Sequence, residues 1–151
     1  MHATPAIRRA AAPDAPAITA LVAQAYAHYI PRLGRRPAPM AVDYEAEIAN
    51  TEVYVIAPAT DVLGVVVLVP GDTALLLKNL AVSPRHQGQG LAKALMAFAE
   101  EQARERGVGE IELYTNQLMT ENIAIYTHLG YREIRRVTEN GFARVYLRKR
   151  V

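Results

Sequence analysis

The sequence predicts a mixed α/β (α+β) fold, with a mostly antiparallel central sheet of about seven strands and helices on both faces. Short segments rich in Val, Ile, Leu and Tyr alternate with stretches whose apolar residues recur at helical spacing. Three consecutive strand segments lack a helix between them, which is typical of antiparallel pairing. One later strand follows a long helix, which predicts a parallel, right-handed crossover.

The first third of the chain predicts one short strand and two helices. Residues 6–10 form the strand, and Asp14 stands where the N-cap of the first helix belongs. Apolar residues then recur at helical spacing, at Ile18, Leu21, Val22, Ala25 and Tyr26. Residues 31–39, PRLGRRPAP, are rich in helix breakers and predict an irregular connection. A second, shorter helix is expected over residues 42–50.

The remaining two thirds predict six strands and two helices. The strands are expected over residues 52–57, 61–69, 73–82, 110–115, 131–138 and 142–148. The helices are expected over residues 88–106 and 120–129, each followed by glycine. Glu139-Asn140-Gly141 predicts a hairpin turn between the last two strands.

Composition narrows the classes of protein to consider. The 151 residues contain no repeat or dividing linker, so we expect one domain over residues 1–151. The absence of cysteine excludes disulfide scaffolds, thiolate metal sites and cysteine nucleophiles, and it fits the cytoplasm. The four histidines lack ligand spacing, so no metal is expected. We recognise no signal peptide or membrane span, and a net charge of +2 without a basic stripe predicts no nucleic-acid partner.

The segment from residue 80 to residue 95, LAVSPRHQGQGLAKAL, carries the strongest functional signal. It runs from a strand through Pro84 and Arg85-x-x-Gly88-x-Gly90 into a helix. Glycines allow a backbone to approach a ligand, and the N-terminus of a helix offers unpaired N–H groups and a positive dipole end. This combination suits a pyrophosphate, such as that of coenzyme A, although two glycines alone also suit a plain turn into a helix. Leu91 excludes a P-loop, and Lys93 replaces the third glycine of a dinucleotide-binding fingerprint.

The pattern Val82-x-Pro84-Arg85-x-x-Gly88-x-Gly90-Leu91 resembles the coenzyme-binding signature of the GNAT acetyltransferases. Ile125-Tyr126-x-x-Leu129-Gly130-Tyr131 resembles the second signature of the same family, and the order of elements agrees along nearly the whole chain. The resemblance implies a GNAT-like fold and the transfer of an acetyl group from acetyl-CoA to an amine. The expected acceptor is a small-molecule or peptide amine, and a homodimer is one expected assembly.

The resemblance also implies a role for individual residues. Those expected to bind the coenzyme are Leu80, Ala81, Val82, Arg85, His86, Gln87, Gly88, Gln89, Gly90, Leu91, Ala92 and Asn122. Tyr126 is expected near the thioester sulfur, where it donates a hydrogen bond to the departing thiolate as the catalytic acid. Without the family pattern, a tyrosine on an amphipathic helix is usually a core residue. Many family members have an asparagine seven residues before this tyrosine, but this chain has Met119, which leaves that role open between Asn122 and Asn116.

Residues 28–44, called the acceptor segment below, are rich in breakers and polar aromatic residues. In the family that the chain resembles, the flanking helices overhang the thioester. We therefore expect Tyr29, Arg32 and Tyr44 to help line the acceptor pocket, with Arg32 or Arg35 favouring an acceptor that bears a carboxylate. A surface loop with solvated arginines is the alternative. The general base stays open among Glu45, Glu47, Tyr29, His28 and a water chain, because the strand before Pro84 has no carboxylate.

Two further classes of function remain as alternatives to an enzyme that catalyses direct transfer within a ternary complex. One is a non-catalytic sensor or interaction module that binds an acyl-CoA but has lost its acceptor site. The other is a nucleic-acid-binding protein, which only the sequence pI of about 9.0 favours. Turnover of acetyl-CoA with amines distinguishes the enzyme from the sensor, and salt-dependent binding of DNA or RNA would identify the nucleic-acid-binding protein.

Overall fold

The computed structural model describes residues 5–151, and residues 1–4 of the predicted domain lie outside this range. Seven strands occur within it: β1 Arg8–Arg9, β2 Glu52–Ile56, β3 Gly64–Val69, β4 Ala74–Val82, β5 Glu110–Asn116, β6 Arg132–Glu139 and β7 Phe142–Arg150. The α-helices of the described residues are α1 Ala15–Tyr26, α2 Ile30–Leu33, α3 Tyr44–Asn50, α4 Leu91–Glu105 and α5 Thr120–His128. The mixed α/β class with a seven-stranded sheet is therefore confirmed.

The seven strands follow the order β1-β2-β3-β4-β5-β7-β6 in the sheet. Antiparallel pairs form between β1 and β2, β2 and β3, β5 and β7, and β6 and β7. Strands β4 and β5 pair in parallel, with Ala74 opposite Glu110 and Leu77 opposite Leu113. The long helix α4 lies between these two strands in sequence, so the parallel pairing predicted for this part of the chain is confirmed.

Asp14 precedes α1 as predicted, but its side chain does not cap that helix. Its carboxylate accepts the N–H of Ala11 at 2.8 Å and forms an ion pair with Arg8 at 2.9 Å. Asp14 itself has helical backbone angles, φ −78° and ψ −17°, whereas a capping residue normally adopts an extended conformation. The residue therefore stabilises the 3₁₀ turn Ala12–Asp14 before the helix, and the bond from Arg8 lowers the pKa of its carboxyl.

The acceptor segment is more ordered than its breakers predict. Its first half forms the short helix α2, because Pro31 lies in the first turn, where a missing N–H costs little. A 3₁₀ turn, Ala38–Ala41, follows. Helix α3 begins at Tyr44 rather than at residue 42, because the Asp43 side chain accepts the N–H groups of Glu45 and Ala46 at 3.1 and 3.3 Å. Residues 31–39, predicted to be an irregular connection, therefore contain most of α2 and the start of this 3₁₀ turn.

Contacts divide the chain into two compact units. The first unit comprises the chain up to Leu68 together with Asn79–Ala99. Its core holds fully buried side chains of α1, β2 and β3, among them Ile18, Val22, Val53, Val55, Val65 and Val67. Removing one such aliphatic side chain from water contributes about 1.5–3 kcal/mol. The expectation of one domain over residues 1–151 stays a prediction.

The second unit comprises Val69–Lys78 and Glu100–Val151. Alternate residues of β5 and β7 point to its core, where Ile111, Leu113, Val145 and Leu147 are fully buried. The last two strands form the predicted hairpin, with Glu139 opposite Phe142. Asn140 has φ 52° and Gly141 has φ 79°, as an Asn-Gly hairpin turn requires.

Candidate active site

The loop of residues 85–90, called the glycine loop below, joins β4 to α4 in the first unit. Gly88 and Gly90 have φ of 83° and 80°, in the region that favours glycine. A Cβ atom at either position would meet nothing within 4 Å, so the space beside both residues is open. Residues 87–90 are exposed, and α4 begins at Leu91 directly after them. The loop thus presents bare backbone at the start of a fifteen-residue helix, which suits a phosphate group.

The base of the glycine loop is held by the buried residue Ser83. Its N–H donates to the carbonyl of Leu63 at 2.8 Å, and its own carbonyl accepts the N–H of His86 at 2.9 Å. The His86 Nδ1 lies 3.2 Å from the Ser83 Oγ. On the other side, the Gly90 carbonyl accepts the N–H of Ala94 at 3.0 Å. Both ends of the loop are therefore anchored while its middle stays exposed.

The last residues of β4, Leu80 to Val82, precede the glycine loop. Ala81 and Val82 are buried, and Leu80 is half-buried. The Tyr26 hydroxyl lies 2.9 Å from the Leu80 carbonyl and donates to it. The backbone that we expect to bind the coenzyme arm is therefore hydrogen-bonded to Tyr26, the last residue of α1.

Tyr29 and Arg32, two of the residues expected to bind the acceptor, are brought together in the first unit. The Tyr29 ring lies 3.9 Å from the His28 ring and 6.1 Å from the Tyr26 ring, centroid to centroid. The Arg32 guanidinium carbon lies 5.4 Å from the centre of the Tyr29 ring, within range of a cation–π interaction. Arg32 is exposed and Tyr29 is half-buried. Through Tyr26, this cluster adjoins the backbone of Leu80.

Tyr44, the third residue expected to bind the acceptor, is only 2% exposed. Its hydroxyl donates to the Pro39 carbonyl at 2.7 Å and accepts from the Asn79 amide at 2.8 Å. A side chain buried to this degree offers little surface to a ligand. The structure thus buries the side chain of Tyr44, whereas the side chain of Arg32 is exposed.

The candidate bases differ in exposure. Glu45 and His28 are exposed, and Glu47 is half-buried on α3. None of the residues of β4 is a carboxylate. Within residues 5–151, no group of three or more His, Asp or Glu side chains is placed to hold a metal ion.

Tyr126 lies on α5 in the second unit, and the end of this helix fixes its surroundings. Gly130 has φ 99°, the N–H of Tyr131 donates to the Tyr126 carbonyl at 3.0 Å, and the N–H of Gly130 donates to the Thr127 carbonyl at 3.1 Å. These two bonds define a Schellman motif. The rings of Tyr126 and Tyr131 meet edge to face at 6.0 Å, which supplies the side-chain contact that usually accompanies the motif. The Leu-Gly-Tyr pattern therefore positions the half-buried Tyr126 side chain.

Tyr131 is an anchor that the sequence did not single out for a role. It is 2% exposed, and its hydroxyl donates to Glu100 Oε2 at 3.0 Å. Lys149 donates to the other oxygen of Glu100 at 3.1 Å. Burial, together with the Glu100 charge, raises the pKa of the Tyr131 hydroxyl well above its usual value of about 10. Tyr131 therefore remains neutral and holds its position against Tyr126.

Met119, at the position where many relatives have asparagine, is buried and fills the core of the second unit. Its sulfur lies 3.6 Å from the Asn122 amide nitrogen and 3.7 Å from the Thr115 hydroxyl. The Asn116 side chain accepts the N–H of Leu118 at 2.9 Å and so forms part of a turn. The Asn122 amide donates to a sulfur, which is a weak acceptor, and the coenzyme contact stays open between Asn122 and Asn116.

Residues 19–131 match the model of the acetyltransferase (GNAT) family. The chain belongs to this family. It is 31% identical over 91 residues to N-acetyltransferase family 8 member 2 of Rattus norvegicus, an alignment that covers 56% of this chain and 40% of that protein. The chain therefore spans less than half the length of this curated relative.

Solved GNAT structures share the fold. A GCN5-related N-acetyltransferase from Rhodopseudomonas palustris matches with a TM-score of 0.80 at 21% identity, over 100% of this chain and 98% of that one. The PaiA N-acetyltransferase of Thermoplasma acidophilum, solved in complex with coenzyme A, matches with a TM-score of 0.77 at 14% identity, over 97% and 98% of the two chains. At such identities the likeness concerns the fold alone.

Among the residues that the structure describes, no helix is both long enough and apolar enough to cross a membrane. Sequence reasoning gave no role to Tyr26, Asn79 and Tyr131, whose polar groups form the hydrogen bonds described above. Asn79 lies on the otherwise apolar buried face of β4. The signal available for Asn79 was its place in the apolar run of β4, LLLKNLAV, where a polar side chain needs a partner.

Proposed function

We propose that this GNAT chain transfers the acetyl group of acetyl-CoA to a primary amine, by direct attack within a ternary complex. The observation that carries the proposal is the glycine loop, in which two glycines with positive φ leave open space at the start of α4. The PaiA structure, solved with coenzyme A, has the same fold. Family membership supports acyl transfer as the reaction.

In this proposal the glycine loop binds the pyrophosphate. The N–H groups of residue 85 and of residues 87–92 donate to its oxygens, since the N–H of His86 already donates to the Ser83 carbonyl. The positive end of the α4 dipole favours the negative charge of the pyrophosphate. Arg85, the first residue of the loop, is exposed and adds a cation. The backbone of Leu80, Ala81 and Val82 holds the pantetheine arm, and Asn122 contributes a side-chain amide.

The amine nitrogen attacks the thioester carbon, the C–S bond breaks, and the sulfur leaves with the electron pair. Tyr126 donates a hydrogen bond to that sulfur. A thiol has a pKa of roughly 8.5 and a tyrosine roughly 10, so complete proton transfer from Tyr126 is mildly uphill and stabilisation by a hydrogen bond dominates. Positioning of the two substrates supplies much of the acceleration.

The amine must lose a proton before it attacks, since an alkyl ammonium with a pKa of about 10.4 is almost wholly charged at pH 7. His28, Tyr29, Glu45 and Glu47 are the side chains from which we expect the base, directly or through water. His28 is in ring contact with Tyr29, at the cluster that also holds Arg32.

The proposed acceptor is a small amine or peptide that bears a carboxylate. Arg32 lies beside the Tyr29 ring with its side chain exposed, so it presents a positive charge next to an aromatic surface. A guanidinium binds a carboxylate through paired hydrogen bonds. Transfer should therefore distinguish an α-amino acid from the amine formed by its decarboxylation.

The test is release of free thiol from acetyl-CoA with matched pairs: L-phenylalanine and phenethylamine, L-tyrosine and tyramine, L-lysine and cadaverine. Turnover with any amine supports the enzyme, and a higher kcat/KM for the amino acid of each pair supports recognition of the carboxylate. In the Arg32→Ala variant this preference should disappear while turnover of the decarboxylated amines persists. Equal rates within each wild-type pair would contradict the carboxylate proposal and leave acyl transfer standing.

The alternative is an acyl-CoA sensor without turnover, which the lack of a carboxylate on β4 favours. Acetyl-CoA would then protect the chain against thermal unfolding, while no amine, including peptides with free N-termini, would release thiol. Thermal protection without thiol release would identify the protein as a sensor and contradict its assignment as an enzyme.

A further inference from the structure

Asn79 is a buried polar side chain for which the proposed reaction gives no role. It is 8% exposed and lies on β4 between Leu77 and Ala81, both of which are buried and apolar. It directly precedes Leu80, where the backbone expected to bind the coenzyme arm begins. Burying an amide is unfavourable unless its hydrogen bonds are made, so a leucine here would serve a purely structural strand at least as well.

The Asn79 side chain is the centre of a chain of hydrogen bonds. Its Nδ2 donates to the Tyr44 hydroxyl at 2.8 Å, and that hydroxyl donates in turn to the Pro39 carbonyl at 2.7 Å. On the other side, the Tyr26 hydroxyl lies 3.1 Å from Asn79 Oδ1 and 2.9 Å from the Leu80 carbonyl. Its single proton is shared between these two acceptors.

The two tyrosines bracket the acceptor segment. Tyr26 ends α1 two residues before the segment begins, and Tyr44 is its last residue and begins α3. A third bond, to Pro39, fixes the 3₁₀ turn inside the segment. The Asn79 side chain of β4 is therefore hydrogen-bonded to a residue near each end of the acceptor segment. These bonds reduce the number of conformations that the residues between can adopt.

The same network adjoins the cluster that we propose for acceptor binding. The Tyr26 ring lies 6.1 Å from the Tyr29 ring, over which Arg32 is placed. A shift of Tyr26 would therefore move the acceptor cluster relative to the Leu80 backbone. Misplacement by about 1 Å can lower the rate of a bimolecular transfer by about 10²-fold.

We propose that Asn79 is a positioning residue for acyl transfer: it ties the acceptor segment to β4 and so sets the acceptor against the backbone that holds the thioester arm. This inference rests on the proposed function, since it assigns the acceptor to that segment. Asn79 acts through Tyr26 and Tyr44 and touches neither substrate.

The informative variant is Asn79→Leu. Without the amide, the Tyr44 hydroxyl still donates to the Pro39 carbonyl, and the Tyr26 hydroxyl still donates to the Leu80 carbonyl. Neither hydroxyl is left unpaired, so the fold should survive while the bridge between them is cut. Tyr44→Phe is the second variant: it removes the same bridge from its other end, together with the bond to the Pro39 carbonyl. Val53→Ala, a core change on β2 in the same unit, is the control for lost stability without loss of the bridge.

Amide hydrogen exchange, followed by mass spectrometry, should be faster over residues 28–44 in Asn79→Leu and Tyr44→Phe, and unchanged over β2 and β3. With L-phenylalanine, or the best substrate of the amine pairs, KM for the amine should rise roughly 10-fold or kcat should fall by a similar factor. The affinity for acetyl-CoA should stay that of the wild type. Val53→Ala should lower the Tm and leave both KM and kcat unchanged.

Unchanged exchange over residues 28–44 in both variants would overturn the inference, whether or not an acceptor has been found. Faster exchange with unchanged KM and kcat would also overturn it, because the hydrogen bonds of Asn79 would then order the segment without positioning the acceptor. Absence of turnover by the wild type with every amine refutes the proposed function instead. The exchange rates over residues 28–44 then show by themselves whether Asn79 holds the acceptor segment on β4.

Discussion

Replacing Tyr131 by phenylalanine should lower stability through one identifiable bond. The change keeps the ring that meets Tyr126 and removes the hydroxyl that donates to Glu100 at 3.0 Å. A hydrogen bond to a charged group contributes about 1.5–3 kcal/mol. Lys149 still donates to Glu100 at 3.1 Å, which keeps that carboxylate paired and places the expected loss near the lower end of this range. For a chain of this length, a loss of about 1.5 kcal/mol lowers the Tm by roughly 3–6 °C.

The loss should also depend on pH in a direction set by the raised pKa of the Tyr131 hydroxyl. In the unfolded chain this hydroxyl loses its proton near its usual pKa of about 10, while in the folded chain it stays protonated. Above that pH the unfolded state binds fewer protons than the folded state, so stability falls as pH rises. The Tyr131 contribution is therefore complete below about pH 10 and declines above it, and the phenylalanine variant lacks this decline.

Urea denaturation of both proteins, followed by circular dichroism from pH 7 to pH 11, measures the effect. The difference between the two unfolding free energies should be constant up to about pH 9.5 and should narrow above about pH 10. Because other titrating groups are common to both proteins, their contributions cancel in the difference. Equal stabilities at pH 7, or a constant difference across the whole range, would refute this explanation of the role of Tyr131.

Two further predictions concern Gly64 and Tyr126. Gly64→Ala should cost about 1–3 kcal/mol of stability in urea denaturation, since a Cβ there would lie 3.1 Å from the Leu95 Cδ1 in a filled core; a variant as stable as the wild type would contradict that packing. Tyr126→Phe should lower kcat by a factor of about 10² or less, while calorimetry shows unchanged affinity for acetyl-CoA; wild-type kcat, with chemistry shown to be rate-limiting, would make Tyr126 a structural residue.

Local chemistry made several elements predictable from the sequence. The turn at Asn140 and Gly141 was predictable because these residue types tolerate a positive φ. The glycine loop was predictable because Gly88 and Gly90 follow Pro84 within six residues. The core face of β5 follows from the strict alternation of its residues. Such signals are short in range, so a single sequence suffices to detect them.

Contacts between residues distant in sequence could not be predicted in the same way. Asn79 meets Tyr26 and Tyr44, which are 53 and 35 residues away, and no periodicity encodes such a partner. The burial of Tyr44 depends on the same contacts, which the sequence alone does not reveal, and its part in an acceptor pocket stays a prediction. Asp14 was misjudged because its own helical backbone angles, which one sequence does not reveal, direct its carboxylate to Ala11 and Arg8.

Calorimetric titration of Gly90→Glu with acetyl-CoA tests whether the glycine loop holds the coenzyme, on which the proposed reaction depends. The glutamate would place bulk and a negative charge in the open space beside α4, where we propose that the pyrophosphate binds. Gly107→Glu is the matched control, because Gly107 also has a positive φ of 71° and a Cβ there would likewise meet nothing within 4 Å, but it lies after the C-terminal end of α4. We predict that folded Gly90→Glu loses acetyl-CoA binding while Gly107→Glu keeps the wild-type affinity. Wild-type affinity in a folded Gly90→Glu variant would contradict the proposed coenzyme site.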